Sequence, residues 1–268
     1  MSSLKFIHRV SKGSRFNQIY VPKRIESDFE VGDMVEVRLL KKKIELYSSP
    51  NLPRISKFKE KLIRDIFSFL SGYGEIRQIF IFGSFLTKHI DYNDIDILIL
   101  IEKDNQKFEK KIYNELIEEF NLKFHVICIE KDKLRELLKI SPLIRNIIYF
   151  SISNKKIEDL PEIEINKNSI KFILMFPEDV LDIDVNSRML YDALKRVFLI
   201  YNFIKKLDIS SYEIDKKMIN LIGMDLYESI RRDAIITKEK KEIIKNIIKK
   251  KIKFINNLLK NEQTKQNN

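Results

Sequence analysis

The segment from Ile79 to Leu100, IFIFGSFLTKHIDYNDIDILIL, constrains the fold of this chain more than any other. Its first four residues are apolar and predict a buried strand, and Gly83 then permits a tight turn. Asp94 and Asp96 belong to a second predicted strand. Strand residues two apart point to the same face, so the two carboxylates are expected to converge while the isoleucines beside them pack on the opposite face.

The residue types of this segment suit a phosphate group and a metal ion. The backbone amides of a glycine turn, together with the Ser84 hydroxyl, can approach phosphate oxygens. Two carboxylates on one face of a strand are oxygen ligands of the kind that Mg²⁺ or Mn²⁺ prefers. Lys88 lies between the turn and the aspartates and is a further candidate phosphate contact. A solvated loop lysine explains that position equally well.

Length, composition and charge set the broad class of the protein. The 268 residues are 44% hydrophobic, which predicts two or three domains with cores of their own. We expect a cytoplasmic protein with no membrane partner, because no apolar run reaches the roughly 20 residues of a membrane helix and the amino terminus lacks a secretory signal. The formal charge of +11 favours a nucleic-acid partner, but solvated lysine-rich helices explain it as well. A single cysteine, Cys128, excludes a disulfide framework and a cysteine-based metal site.

Changes in pattern divide the chain into three predicted domains, and the fold class is α+β multidomain. Residues 1–50 contain short strand-like stretches and end in a proline-rich turn, which predicts a small β-hairpin domain. So small a domain buries little surface, which favours dimerisation or docking on the rest of the chain. Residues 54–152 alternate helices and strands and predict an α/β domain with a mixed sheet. Residues 168–261 predict a helical bundle, and residues 262–268 a disordered tail.

Several elements of the middle domain can be placed from periodicity alone. We expect a helix over residues 55–70 with Phe58 on its apolar face, and strands over 76–82, 95–101 and 123–129. A helix with apolar positions from Phe108 to Phe120 separates the last two strands. A short helix follows over residues 132–138, and an edge strand at 147–151 is expected to close the domain.

Two stretches near the amino terminus, Gln18-Ile19-Tyr20-Val21-Pro22-Lys23 and Val31-Gly32-Asp33-Met34-Val35-Glu36-Val37, resemble the swapped-hairpin module of the AbrB/SpoVT family. The resemblance covers about residues 5–48, and it implies a homodimer that binds DNA. One departure is that residues 14–17 interrupt the Lys-Gly-Gln run common in that family. Phosphate contacts need only positioned cations, and the candidates are Lys12, Arg15, Lys23 and Arg24. The alternative is a pure dimerisation hairpin whose cations block edge pairing.

Residues 55–151 resemble the DNA polymerase β-like nucleotidyltransferase superfamily, in particular its minimal members. Gly83-Ser84, nine intervening residues and then Asp94-Ile95-Asp96 match the glycine-serine turn and the metal-binding aspartates of that family. The resemblance implies that a nucleotidyl group passes from a nucleoside triphosphate to an acceptor. Asp94 and Asp96 would be the catalytic metal ligands, and Gly83, Ser84 and Lys88 would bind the nucleotide. Protein hydroxyls, RNA ends and small molecules are all open as acceptors.

The chain departs from this superfamily at the third acid, which usually comes from a later strand. His125 stands at that position and is the third candidate metal ligand, although imidazole adds no negative charge and suits Mg²⁺ poorly. Glu130 and Asp132 could substitute only by reaching back from the far end of the strand. The alternative function is therefore a DNA-binding dimeric regulator whose nucleotidyltransferase-like domain binds nucleotide without efficient catalysis.

Overall fold

A computed structural model describes residues 6–21, 32–37, 43–50, 52–87, 92–103, 106–157 and 159–266. The chain forms two compact units, Met1–Lys42 and Lys43–Asn268. The first boundary thus falls several residues before the predicted one. Three residues with a predicted role, Lys23, Arg24 and Lys88, lie outside the described residues.

In the first unit the described residues form one short hairpin. Strand β1 (Ser11–Lys12) pairs antiparallel with β2 (Asn17–Gln18), and the Gly13 amide donates to the Phe16 carbonyl over 3.0 Å to close the turn. Residues 19–21 and 32–37, which were expected in longer strands, are not in strands here. None of the residues described in 6–21 and 32–37 is buried. These described residues therefore form no core among themselves, and the AbrB-like hairpin domain stays a prediction.

The second unit is built on a five-stranded sheet. Its strands are β3 (Tyr47–Ser48), β4 (Ile76–Phe82), β5 (Ile95–Ile101), β6 (Phe124–Glu130) and β7 (Ser151–Ser153), in the spatial order β3-β7-β4-β5-β6. Strands β5 and β6 are parallel, and the other neighbours are antiparallel. The predicted mixed sheet is therefore confirmed.

Two strands differ from the sequence-based expectation. The stretch ending at Tyr47–Ser48 was expected in the first domain, but it pairs with β7 and belongs to the sheet of the second unit. The edge strand expected at 147–151 is wrong. Ser141 caps a helix that begins at Pro142 and continues to Tyr149, and the strand that follows lies inside the sheet, between β3 and β4.

Helices cover both faces of the sheet. Helices α1 (Lys57–Leu70) and α2 (Gln106–Phe120) pack on the face that carries Ile79 and Ile97. Helices α3 (Lys131–Ile140) and α4 (Pro142–Tyr149) pack on the opposite face, against Phe80 and Leu98. Both faces are therefore buried from Ile79 to Phe82 in β4 and from Ile97 to Ile101 in β5, which explains the continuous apolar sequence of these two stretches.

Helix α1 turns a different face to the sheet from the one expected. Its Phe58 is 67% exposed, whereas Lys59 is only 7% exposed. The buried positions of this helix are Lys59, Ile63, Ile66, Phe67 and Leu70. Packing against the sheet therefore decides the buried face, and it places a lysine there.

The helical bundle consists of α5 (Lys167–Asp182), α6 (Ser187–Ile204), α7 (Ser211–Ile222), α8 (Met224–Arg231) and α9 (Lys238–Gln266). It packs directly on the sheet domain within the second unit: the Asn146 side chain donates to the Ile209 carbonyl over 2.7 Å, and the Ser169 hydroxyl donates to the Ile140 carbonyl over 3.2 Å. Helix α9 continues to Gln266 and so includes most of the tail expected to be disordered. Within the described part of the chain, no helix combines the length and the apolar character needed to cross a membrane.

Candidate active site

The turn after β4 lies close to strand β5 at the Asp96 carboxylate. Gly83 has a φ of +80°, a backbone conformation that is unfavourable for residues other than glycine. Asp96 pairs in register with Phe82, the residue just before the turn. A Cβ atom on residue 83 would overlap the Asp96 carboxylate. The turn therefore requires glycine for two reasons, its backbone conformation and the approach of a carboxylate.

Ser84 begins a short 3₁₀ helix, Ser84–Leu86, and hydrogen bonds join Ser84 to Thr87, the residue that follows this helix. The Ser84 carbonyl accepts hydrogen bonds from the Thr87 amide at 3.0 Å and the Thr87 hydroxyl at 2.7 Å. Phe85 and Leu86 are fully buried beneath it. Ser84 itself is exposed, so a fixed backbone presents its hydroxyl to solvent.

The two aspartates lie where β5 begins. Asp94 directly precedes the strand and Asp96 is its second residue, while Ile95 and Ile97 are fully buried on the opposite face. Burial raises the pKa of Asp96 above its usual range, and the negative charge of Asp94 raises it further. A hydrogen bond with His125 acts in the other direction. The carboxylates are thus close enough to repel each other, and a bound cation would relieve that repulsion.

His125 occupies the position next to Asp96 on the neighbouring strand. The two residues are partners in the parallel β5–β6 register, and Nδ1 of His125 lies 3.1 Å from Oδ1 of Asp96. Glu130 pairs with Ile101 instead, five residues along the strand, or about 16 Å away. Asp132 lies beyond it in α3. Neither carboxylate stands where a third acid would be needed.

Asp94 and Asp96 suit a magnesium ion that also binds water and substrate phosphates, and they suit less well a metal ion whose ligands all come from the protein. Among the described residues, no group of three or more His, Cys, Asp or Glu side chains is arranged to hold a metal ion. Mg²⁺ is often bound through one or two carboxylates, several waters and the phosphates of a substrate. Asp94 and Asp96 fit such a donor set. Because Nδ1 of His125 faces Asp96, a direct ligand role for this histidine stays a prediction.

A cavity of about 210 Å³ borders the site between α2 and β6. His125 is one of its walls, and its ring is 59% exposed. The complete lining is Glu109, Lys110, Tyr113, Phe124, His125 and Val126. The carboxylate of Glu109 accepts a hydrogen bond from the Cys128 amide over 2.8 Å, which fixes α2 to the outer edge of β6.

One residue at the site was missed by the sequence reasoning. The buried ammonium of Lys59 donates to the Thr87 carbonyl over 2.9 Å and lies 5.3 Å from the Phe85 ring and 5.2 Å from the Tyr92 ring. Burial lowers the pKa of Lys59. The sequence contained a signal that Lys59 would be buried, because its helical spacing places it on one face of α1 with four apolar residues. These are Ile63, Ile66, Phe67 and Leu70.

The predicted DNA contacts belong to the first unit. Lys12 and Arg15 are both exposed at the hairpin between β1 and β2. The structure therefore presents two cations on one short turn, and Lys23 and Arg24 are outside the described residues.

Comparison with known families is informative for one part of the chain. Residues 64–153 match the model of the family described as polymerase beta, nucleotidyltransferase. The matched segment begins inside α1 and ends with β7, so it contains Gly83, Ser84, both aspartates and His125 but not Lys59. The match supports a polymerase β-like nucleotidyltransferase domain over these residues. No curated protein gave a significant match to the chain.

Proposed function

We propose that the second unit is a metal-dependent nucleotidyltransferase that transfers a nucleotidyl group from a nucleoside triphosphate to an acceptor. The family match supports nucleotidyl transfer in general. The observation that carries the more specific proposal is the contact between Gly83 and the carboxylate of Asp96. It brings a phosphate-binding type of turn against a metal-binding type of side chain.

In this proposal each residue of the site has its own role. The turn at Gly83 and the exposed Ser84 bind the triphosphate. Lys88, which is outside the described residues, stays a further candidate contact from the sequence. Asp94 and Asp96 hold Mg²⁺ or Mn²⁺. When bound, such an ion neutralises phosphate charge and activates the attacking hydroxyl of the acceptor.

His125 orients one of these ligands. A ring that carries a proton on Nδ1 donates to Oδ1 of Asp96 and fixes the direction of that carboxylate. Hydrogen bonds of this kind to a metal ligand set its orientation. Since the ring is mostly exposed and borders the cavity between α2 and β6, the acceptor has an open approach to this side of the site.

The proposal is tested by labelling. The purified full chain is incubated with each α-³²P nucleoside triphosphate, Mg²⁺ or Mn²⁺, and three acceptor classes in turn: protein, RNA and small hydroxyl compounds. We expect transfer of label in at least one combination. Asp94→Asn and Asp96→Asn should each lower the rate by about 1,000-fold, since metal-assisted charge stabilisation contributes several kcal/mol.

The matched control is Asp179→Asn, which changes an exposed aspartate in α5 and should label at the wild-type rate. Chelation of the metal should abolish labelling, and added Mg²⁺ should restore it. Wild-type labelling that survives in both site variants would assign the activity to another site or to a contaminant. Absence of labelling with every nucleotide, metal and acceptor would contradict the enzymatic proposal.

A second candidate function is favoured by the first unit. Its described residues include several large apolar side chains that are mostly exposed, among them Ile7 at 83%, Phe16 at 78% and Met34 at 98%. Apolar surface of this kind is typical of a segment that becomes buried against a partner. We therefore also propose a homodimer, formed through this unit, that binds DNA with Lys12 and Arg15. If the full chain binds nucleotide and DNA but labels no acceptor, the regulator is the better description.

A further inference from the structure

We propose that Lys59 is a positioning residue that holds the glycine-serine turn and the acidic strand in fixed relation to each other. The inference rests on the proposed function, because it concerns the same site. Lys59 lies in α1, five residues before the segment that the family model matches. The family match therefore says nothing about Lys59, and its role is argued from its contacts in this structure.

The first set of contacts secures the turn. The Ser84 carbonyl is held by the amide and hydroxyl of Thr87, and the Thr87 carbonyl accepts a hydrogen bond from the Lys59 ammonium over 2.9 Å. The same ammonium lies 5.3 Å from the centre of the Phe85 ring. Lys59 thus fixes two of the three residues that follow Ser84.

A further contact secures the acidic strand. The ammonium lies 5.2 Å from the centre of the Tyr92 ring, and Tyr92 stands two residues before Asp94. The rings of Tyr92 and Phe85 meet edge to face with their centres 4.9 Å apart. One charged group therefore joins the chain leaving the turn to the chain entering β5.

Burial of the Lys59 ammonium carries a desolvation cost that its polar and aromatic contacts must offset, which argues for a role in function. Lys59 is only 7% exposed, and burial lowers its pKa because the charged form loses hydration. A methionine would fill the same elongated space without a charge to desolvate. Residues that cost stability tend to be found where activity needs them. We infer that the ammonium is kept for the position it gives to Ser84 and Asp94.

The consequence can be measured with three variants. Lys59→Met removes the charge and keeps the apolar stem. Lys59→Arg keeps a cation that can donate to a carbonyl and stack on aromatic rings. Lys61→Met changes an exposed lysine two residues away on the same helix and is the matched control.

For each protein we would measure the Kd for nucleoside triphosphate in Mg²⁺ by calorimetry, the transfer rate and the Tm. Lys59→Met should weaken nucleotide binding by about tenfold, because the turn and the acidic strand lose their fixed spacing, and should lower the transfer rate at least as much, since small displacements at a site have effects of up to about 100-fold. Its Tm should be unchanged or higher. Lys59→Arg should recover most of the affinity, and Lys61→Met should match the wild type throughout.

Hydrogen exchange gives a readout that needs no nucleotide. Lys59→Met should speed amide exchange at residues 84–87 and 92–96 together, and leave the centre of β5 unchanged. If the wild type binds no nucleotide but this exchange pattern is observed, the proposed function fails and the positioning role stands.

Two results would overturn the positioning role. One is wild-type exchange and wild-type affinity in Lys59→Met. The other is a loss of affinity that parallels a fall in Tm and is not recovered in Lys59→Arg, which would show that Lys59 only supports the fold.

Discussion

The two units of this protein place apolar residues in opposite environments. In the sheet of the second unit Ile79, Ile81 and Ile97 are fully buried. In the first unit Met34 is 98% exposed and Val37 is 66% exposed, although the sequence around them alternates like a strand. The second unit therefore holds its own core and its own candidate site. The described residues of the first unit leave these side chains exposed, which is the basis for proposing that this unit assembles with a partner while the second unit carries the chemistry.

The largest effect should come from breaking the site in the self-sufficient unit. Gly83→Ala puts a Cβ on the Asp96 carboxylate in a backbone conformation that alanine disfavours. The strain costs about 1–3 kcal/mol, and we expect nucleotidyl transfer to fall by at least about 100-fold, since displacements of about 1 Å have effects of this size. The rate of label transfer and the Tm would be measured side by side.

The control for this variant is Gly74→Ala. A Cβ at Gly74 meets nothing within 4 Å, and the residue lies in the turn before β4. It should transfer label at the wild-type rate. A Gly83→Ala protein that keeps full activity would show that Asp96 does not need to approach the turn.

The next effect tests the proposed homodimer. Deletion of residues 1–42 should convert that dimer to a monomer, because the exposed apolar residues of the first unit are removed. Nucleotidyl transfer by residues 43–268 should persist, since the site and its core lie there. Light scattering coupled to gel filtration gives the mass. A truncated chain that is still dimeric would move the interface to the second unit and weaken the comparison.

The second unit was predicted well where local pattern decides the structure. Strands β4 and β5 contain the apolar runs from Ile79 to Phe82 and from Ile97 to Ile101, where both faces of the strands are buried. The pairing of Gly83-Ser84 with the two aspartates followed from spacing and from the period of a strand. Which atoms touch did not follow, because the approach of Asp96 to Gly83 depends on the register between strands.

The failures come from contacts between distant parts of the chain. The strand-like stretch ending at Tyr47 was assigned to the first domain, but its pairing partner is β7, about one hundred residues later in the chain. Helix α5 lies within the residues predicted to form the helical bundle, but its bounds were not predicted, since Pro177 lies inside it and polar residues precede it. Lys59 was missed because Phe58 was assigned to the apolar face, whereas packing on the sheet chooses the neighbouring face.

A smaller effect is expected at the predicted DNA contacts of the first unit. Replacing Lys12 and Arg15 together by alanine should weaken duplex DNA binding, and the slope of log K against log salt should decrease in magnitude by about 1.8, or 0.9 for each phosphate contact. Fluorescence anisotropy at several salt concentrations measures this. The control replaces Lys57 and Lys61, two exposed lysines of α1, and removes the same charge from the other unit. Equal losses of DNA affinity in both double variants would mean that DNA binding depends on the net charge of the protein and not on Lys12 and Arg15.

The smallest effect concerns the stability of the second unit. Burial and the charge of Asp94 raise the pKa of Asp96 above its value in the unfolded chain. Through the carboxyl range the folded state therefore binds more protons than the unfolded state, and the stability of the fold decreases as the pH rises. The ionised carboxyl therefore destabilises the fold at neutral pH. Asp96→Asn should raise the Tm by a few degrees at pH 7 in chelator, and this gain should shrink as acid protonates the wild-type carboxyl.

Added Mg²⁺ and nucleotide should then raise the Tm of the wild type more than that of Asp96→Asn, because only the wild type keeps both carboxylates. Asp179→Asn, an exposed control, should follow the wild type at every pH. If Asp96→Asn were less stable than the wild type at neutral pH, the carboxylate would be a structural group held by His125. The ionised Asp96 carboxylate would then stabilise the fold, instead of carrying the stability cost expected of a metal-binding carboxylate. The core would be the one remaining difference between the described parts of the two units.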